Sequence, residues 1–286
     1  MSPPLLYLVD VFAERPYAGN QLAVVLGAEG WTTERMQAFA QETNFSETTF
    51  VPAPRLRDGG YDVRIFTPAE ELPFAGHPTI GTAWLLRRFV QNGAGETVTL
   101  HLGVGDVAVT FDDANGLAWL APRPPVLGDV RDRDTIAATL GITCGDLDED
   151  LPCQDVSVGI RFVLVPVRSL DVLRALQPAR LPQGSSGAAT GVLCFAREAY
   201  DPGGDLAARM FFEARGLRED PATGSANACL AAYLSAHRVL GAEQVSARVQ
   251  QGYEIGRPST LYLRAQSPQH VQVGGRVVLV ARGELA

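Results

Sequence analysis

The stretch Phe66-Thr-Pro-Ala-Glu-Glu-Leu-Pro-Phe-Ala-Gly-His-Pro-Thr-Ile-Gly-Thr-Ala-Trp-Leu-Leu-Arg-Arg-Phe-Val90 reads as the end of a strand, a Gly/Pro-rich loop and a helix entered at Pro78 or Thr79. Pro suits a first helical turn because the N–H it lacks would be unpaired there, and Thr79 is a candidate cap. The Gly76-His77 backbone then lies where unpaired N–H groups gather, a place that favours an anion. The helix that follows is apolar nearly all round (Ile80, Ala83, Trp84, Leu85, Leu86, Phe89, Val90), with Arg87 and Arg88 at its end and Asn92-Gly93 as the stop. Such a helix is expected to be buried.

The plan recurs late in the chain. Arg209-Met-Phe-Phe-Glu213 echoes Arg64-Ile-Phe-Thr-Pro68, and the loop Asp220-Pro-Ala-Thr-Gly-Ser225 opens a second apolar helix, expected over Ala226 to Leu240. Two related halves follow, each with one buried central helix whose start is presented by a Gly-containing loop. The expected class is α+β: two similar domains, each a curled, mostly antiparallel sheet around its helix. Pro122-Arg-Pro-Pro125 is the best linker, being stiff and unable to sit in a central strand. The domains are therefore expected at residues 1–121 and 122–270. A terminal strand at 271–286 could stay with the second domain or return to the first.

The strands leading to the central loop include one over Asn44 to Val51, in which Phe45, Glu47, Thr49 and Val51 share a face. Glu47 thus points with apolar neighbours, where desolvation would push its carboxyl upward and suit it to taking and returning a proton near neutrality. A solvent-edge carboxylate is the plainer reading. Tyr61 to Thr67 reads as one strand, His270 to Val280 as another, and Pro182-Gln-Gly-Ser-Ser-Gly187 as a flexible loop. His77, pinned between Gly76 and Pro78, is either a loop-capping histidine or a site residue. Asp220, Thr223 and Ser225 are good helix caps, so that loop reads either as a capping turn or as an anion receptor in which Gly224 and Ser225 donate N–H groups.

Composition excludes several classes. The 286 residues carry a net charge of −8 and no Lys/Arg cluster larger than a pair, which argues against nucleic-acid or anionic-membrane partners. No apolar run approaches a membrane span and the start does not read as a signal peptide, so a cytoplasmic protein is expected. The four cysteines show no zinc spacing, and His101, His237 and His270 are scattered, so no metal site is expected. Gly103-Val-Gly105 is not followed by a helix, and no Walker loop or Gly-x-Ser-x-Gly elbow occurs. Glu47 with Asp220 could form a glycosidase pair, but no aromatic platform lies near either loop.

Val9-Asp-Val-Phe12, Gly19-Asn20, Asn44-Phe-Ser-Glu-Thr-Thr-Phe50, Glu71-Leu-Pro-Phe-Ala-Gly-His-Pro-Thr-Ile-Gly-Thr82, Glu219-Asp-Pro-Ala-Thr-Gly-Ser-Ala226 and Val273-Gly-Gly275 together resemble the phenazine-biosynthesis PhzF-like family. The resemblance implies a diaminopimelate-epimerase-like fold with the active site in the cleft between its two domains. It also implies a homodimer and a cofactor-independent isomerase acting on a small carboxylic acid, similar to trans-2,3-dihydro-3-hydroxyanthranilate isomerase. By motif position it makes Glu47 the proton-shuttling carboxylate, with His77 and Asp220 as further catalytic candidates. Ser225, Gly224, Thr223, Gly76, Asn20 and Ser46 are the substrate-binding candidates. The related epimerases place a cysteine in each loop, where this sequence has Gly76 and Asp220, which argues against two-base inversion; an amino-acid epimerase or racemase, which would need Cys144, Cys153, Cys194 or Cys229 in the cleft, is the alternative. A non-catalytic small-molecule binder is the third possibility.

Overall fold

In a computed structural model, residues 3–177, 191–212 and 218–286 are described. The loop expected over Pro182 to Gly187, and Glu213 of the repeated strand motif, lie outside the described residues. The chain forms two compact units, residues 1–120 with 274–286, and residues 121–273. The first contains, in order, β1 (Leu5–Val11), β2 (Asn20–Leu26), α1 (Thr33–Thr43), β3 (Glu47–Val51), β4 (Tyr61–Asp62), β5 (Arg64–Phe66), β6 (Glu71–Leu72), α2 (Gly76–Phe89), β7 (Thr97–Leu102), β8 (Gly105–Asp112) and β9 (Leu117–Leu120). The second contains β10 (Val126–Val130), α3 (Arg133–Leu140), β11 (Gln154–Ser157), β12 (Arg161–Pro166), α4 (Leu170–Ala175), β13 (Gly191–Ala196), β14 (Leu206–Phe212), β15 (Arg218–Asp220), α5 (Gly224–Ala236), β16 (Val245–Gln251) and β17 (Ser259–Ser267). Then follow β18 (His270–Gly275) and β19 (Val277–Glu284), which pairs antiparallel with β1.

In the first unit the strands run β19-β1-β2-β3-β5-β6 in one sheet, and β9-β8-β7-β4 form a second set. Most pairs are antiparallel; β2 with β3 and β4 with β7 are parallel. Helix α2 packs against β1, β2, β3, β7, β8 and β9. Its approach to the sheet depends on Gly81, because a β-carbon there would lie 2.6 Å from Leu22 Cδ2 and 2.8 Å from Val11 Cγ2. In the second unit the order is β10-β11-β12-β13-β14-β16-β17-β18, with β15 added to β14. Helix α5 packs against β11, β12, β16 and β17 and buries every residue from Ala226 to Ser235. The α+β reading holds, with one buried helix against curled strands in each unit.

Several expectations about single elements are corrected. The strand expected over Tyr61 to Thr67 is two: Tyr61 and Asp62 pair with β7, whereas Arg64 to Phe66 pair with β3. The strand expected over His270 to Val280 breaks after Gly275. There the backbone runs so close to rings that a β-carbon at Gly274 would meet Trp119 Cδ2 at 2.6 Å, and one at Gly275 would meet Phe12 Cδ1 at 2.5 Å. The second central helix starts at Gly224 and ends at Ala236, earlier at both ends than its apolar run suggests. Nor is it wholly apolar: Asn227 and Ser235 are buried within it.

Candidate active site

Helix α2 begins at Gly76, ahead of the entry expected at Pro78 or Thr79, so His77 belongs to its first turn instead of to the loop. The N-cap is Ala75, in an extended conformation and with no side chain to cap. Thr79 is no cap; its hydroxyl turns back and donates to Ala75 O at 2.7 Å. The start of α2 therefore has no side-chain cap, whereas α1, α3 and α4 are capped by Thr32, Asp132 and Ser169.

Glu47 opens β3, in register with Leu22 of β2, and its side chain is 17% exposed. His77 is 6% exposed, and its Nε2 lies 3.4 Å from Glu47 Oε2. Burial pushes the imidazole down to about 3, and a hydrogen bond with the backbone of Gln21 pulls weakly the other way. His77 is thus neutral at neutral pH, and the contact joins an uncharged imidazole to a carboxyl group rather than forming an ion pair. His77 Nε2 makes no hydrogen bond among the described residues. Asn20 is buried one residue before Gln21, at the start of β2, while Ser46 is exposed beside Glu47. The turn that delivers Asn20 needs Gly19 at φ +67°, where a β-carbon would stand 2.3 Å from Val11 O. So the first unit gathers Glu47 and His77, with Gly76 next to His77 in sequence and Asn20 on the strand that pairs with that of Glu47.

In the second unit Asp220 ends β15 and Thr223 is the N-cap of α5, yet Thr223 does not cap. Its hydroxyl donates to Asp220 Oδ2. Asn227 and Gln251, both fully buried, close a network around this pair. Gln251 Nε2 donates to Asp220 O at 2.8 Å, and Asn227 Nδ2 donates to Gln251 Oε1 at 2.8 Å and to Thr223 O at 3.0 Å. Sequence reading placed Asp220, Thr223, Gly224 and Ser225 in one loop and missed Asn227 and Gln251. A polar residue inside an otherwise apolar helix was the available signal for Asn227.

The loop feeding each helix is held by an arginine. Arg64 on β5 grips Glu71 on β6 through two bonds, of 2.7 and 2.6 Å. Arg209 on β14 does the same to Glu219 on β15, at 2.9 and 2.7 Å. The repeated Arg-x-Phe and Arg-x-Phe-Phe strands are therefore equivalent in contact as well as in spelling.

The cysteines are poor bases. Cys153, Cys194 and Cys229 are buried and desolvation raises all three thiols, Cys153 to about 11; Asp134 raises Cys144. Among the described residues no three His, Cys, Asp or Glu side chains are grouped as metal ligands, and no helix is long and apolar enough to cross a membrane.

A two-unit α+β fold with one central helix per unit is the epimerase-like architecture, and the relatives that share it with this chain are named isomerases. The chain belongs to the PhzC-PhzF family of phenazine biosynthesis-like proteins, which it matches over residues 9–283. It is 36% identical to a trans-2,3-dihydro-3-hydroxyanthranilate isomerase of Pseudomonas fluorescens, over 97% of this chain and 98% of that one. The isomerase of the same name from Pseudomonas aeruginosa is 35% identical, over 96% and 97% of the two chains. Among solved structures, a predicted epimerase from Pseudomonas aeruginosa superposes with a TM-score of 0.81 at 33% identity, over 99% of both chains. A probable proline racemase from Agrobacterium radiobacter, at 13% identity, shares the fold with a TM-score of 0.57, covering 99% of this chain and 93% of that one.

Proposed function

We propose that this isomerase moves a proton between two carbons of a small unsaturated carboxylic acid without a cofactor, with Glu47 as the shuttle. The observation that carries the proposal is the Glu47–His77 contact: a carboxyl group 17% exposed, 3.4 Å from an imidazole that burial keeps neutral. The Glu47 carboxylate takes a proton from an acidified C–H and the electron pair left behind conjugates into a dienolate. The protonated Glu47 then returns the proton to a second carbon, so the carboxylate is regenerated and no electrons are exchanged. Neutral His77, whose other ring nitrogen donates to the Gln21 backbone, turns an accepting Nε2 toward Glu47, so it favours the carboxyl while that carries the proton and adds no competing positive charge. Developing negative charge needs donors already in place, and the start of α2, which no side chain caps, supplies the backbone N–H of Gly76 beside His77. Asp220 and Thr223 assist orientation.

The substrate follows the named relatives: trans-2,3-dihydro-3-hydroxyanthranilate is the acid to try. A two-thiol epimerization is disfavoured because the buried thiols stay protonated at neutral pH. The test is loss of that acid, followed by liquid chromatography, with the wild type beside Glu47→Gln. General acid–base catalysis contributes about 10²–10⁴-fold, and a fall of that order is expected in the variant. A wild type that leaves the acid untouched would remove this substrate, and an unimpaired Glu47→Gln would remove the shuttle.

A further inference from the structure

The polar network at the start of α5 has a direction. Thr223 O and Asp220 O are carbonyl oxygens and only accept. Asn227 must therefore present its Nδ2 to Thr223 O at 3.0 Å, and its second proton reaches Gln251 Oε1 at 2.8 Å. With its oxygen occupied, Gln251 turns its Nε2 to Asp220 O at 2.8 Å and to Thr223 Oγ1 at 3.4 Å. Its oxygen also receives Thr223 N at 3.5 Å. Thr223 Oγ1, already accepting from Gln251, sends its single proton to Asp220 Oδ2. Both amides are wholly buried, so neither orientation is averaged by solvent. The loop is held against the end of β16 at Gly252, at φ +79°, where a β-carbon would lie 2.6 Å from Pro221 O.

We propose that Gln251, oriented by Asn227, is a positioning residue that fixes the Thr223 hydroxyl as a donor to Asp220 and thereby withholds it from capping α5. This role deepens the isomerase reading and rests on it. The result is twofold: Asp220 is held as an ionised acceptor, because a hydrogen bond to the charged form favours it, and the first N–H groups of α5 stay without a side-chain cap. Charged groups described on the adjoining elements include Arg209 on β14, Glu219 on β15, Arg248 on β16, which donates to Gly203 O at 3.2 Å, Arg264 on β17, and Glu254 and Arg257 after β16. Arg209 bonds Glu219 and lies 3.7 Å from Glu254, so those three charges are committed to one another.

The experiment is carbon-13 NMR titration of the Asp220 carboxyl in the full chain. In Gln251→Met the midpoint should rise by about one pH unit, a tenfold gain in proton affinity. Thr223→Val should raise it at least as far, and Thr223→Ser, which keeps the hydroxyl, should restore the wild-type value. Adding Gln251→Met to Thr223→Val should move it no further, because Gln251 acts through that hydroxyl. If Gln251→Met does not fold, the wild type itself gives the answer. Its Gln251 side-chain amide nitrogen should shift as Asp220 titrates, and should not do so in Thr223→Val. A folded Gln251→Met with an unmoved midpoint, an equal extra shift in the double variant, or a silent Gln251 amide in the wild type would overturn the proposal. The titration needs no substrate, so absence of turnover would count against the isomerase reading alone.

Discussion

The two units use one device at two depths. In each, an arginine on a strand clamps a glutamate on the short strand that leads to the central helix. Arg64 and Glu71 are 31% and 39% exposed; Arg209 and Glu219 are 5% and 4% exposed. The same contact is a surface clasp in the first unit and a buried anchor in the second, where Arg209 also donates to the carbonyls of Leu173, Arg174 and Leu176. The helix starts differ in a parallel way. That of α2 lacks a cap because Ala75 has no group to offer, and that of α5 because Thr223 is engaged by Asp220. One repeat has thus been specialised: the first unit sets a carboxyl against a neutral imidazole, and the second encloses its carboxylate in a closed hydrogen-bond network.

The largest expected difference between the units is in chemistry. Glu47→Gln should slow turnover by about 10²–10⁴-fold, since it removes the proton carrier. Asp220→Asn, which weakens one charged hydrogen bond, should cost roughly tenfold. Steady-state rates on one acid decide this, and equal losses would erase the division of labour.

Denaturant unfolding tests the buried anchor. Arg209→Met leaves Glu219 as an unpaired buried charge and should destabilise the protein by about 3–5 kcal/mol. A loss below about 1 kcal/mol would mean that the anchor is no stronger than its surface counterpart.

Acid unfolding isolates His77. Its folded value of about 3 lies below the unfolded one near 6.5, so above pH 6.5 it adds no pH dependence. As the pH falls from 6.5 to 3, the unfolded chain takes up a proton that the native state refuses. Stability then drops with a limiting slope of about 1.4 kcal/mol per pH unit, and the slope vanishes below pH 3. The difference between wild type and His77→Gln should show that slope. A flat difference would mean that His77 titrates normally.

The smallest effect belongs to the surface clasp. Arg64→Met should cost about 1 kcal/mol or less in the same denaturant experiment, and a loss equal to that of Arg209→Met would remove the contrast in depth.

Much of this was legible in the sequence. Two apolar helices behind Gly-containing loops give the repeat, and Glu47 stood out as a carboxylate in an apolar alternation. The class of fold follows from strands gathered around those helices. Helix starts were harder, because Ala75 has no side chain that announces an N-cap and Thr79 imitates one while bonding backward to Ala75. The break at Val63 was invisible, since residues 61–67 read as one β-rich run and only pairing separates them. Gln251 could not be found from the loop motif at all. It lies 28 positions from Thr223, and its role exists only once β16 is laid against the start of α5.

The central claim is that one carboxylate carries the proton. Its most direct test is incubation of the protein with trans-2,3-dihydro-3-hydroxyanthranilate in D₂O, beside Glu47→Gln, with mass spectrometry of substrate and product. The wild type should consume the acid, with deuterium entering the product only as far as protonated Glu47, 17% exposed, exchanges with solvent during the transfer, and Glu47→Gln should neither consume the acid nor label it. Labelled product formed at an undiminished rate by Glu47→Gln would contradict the account.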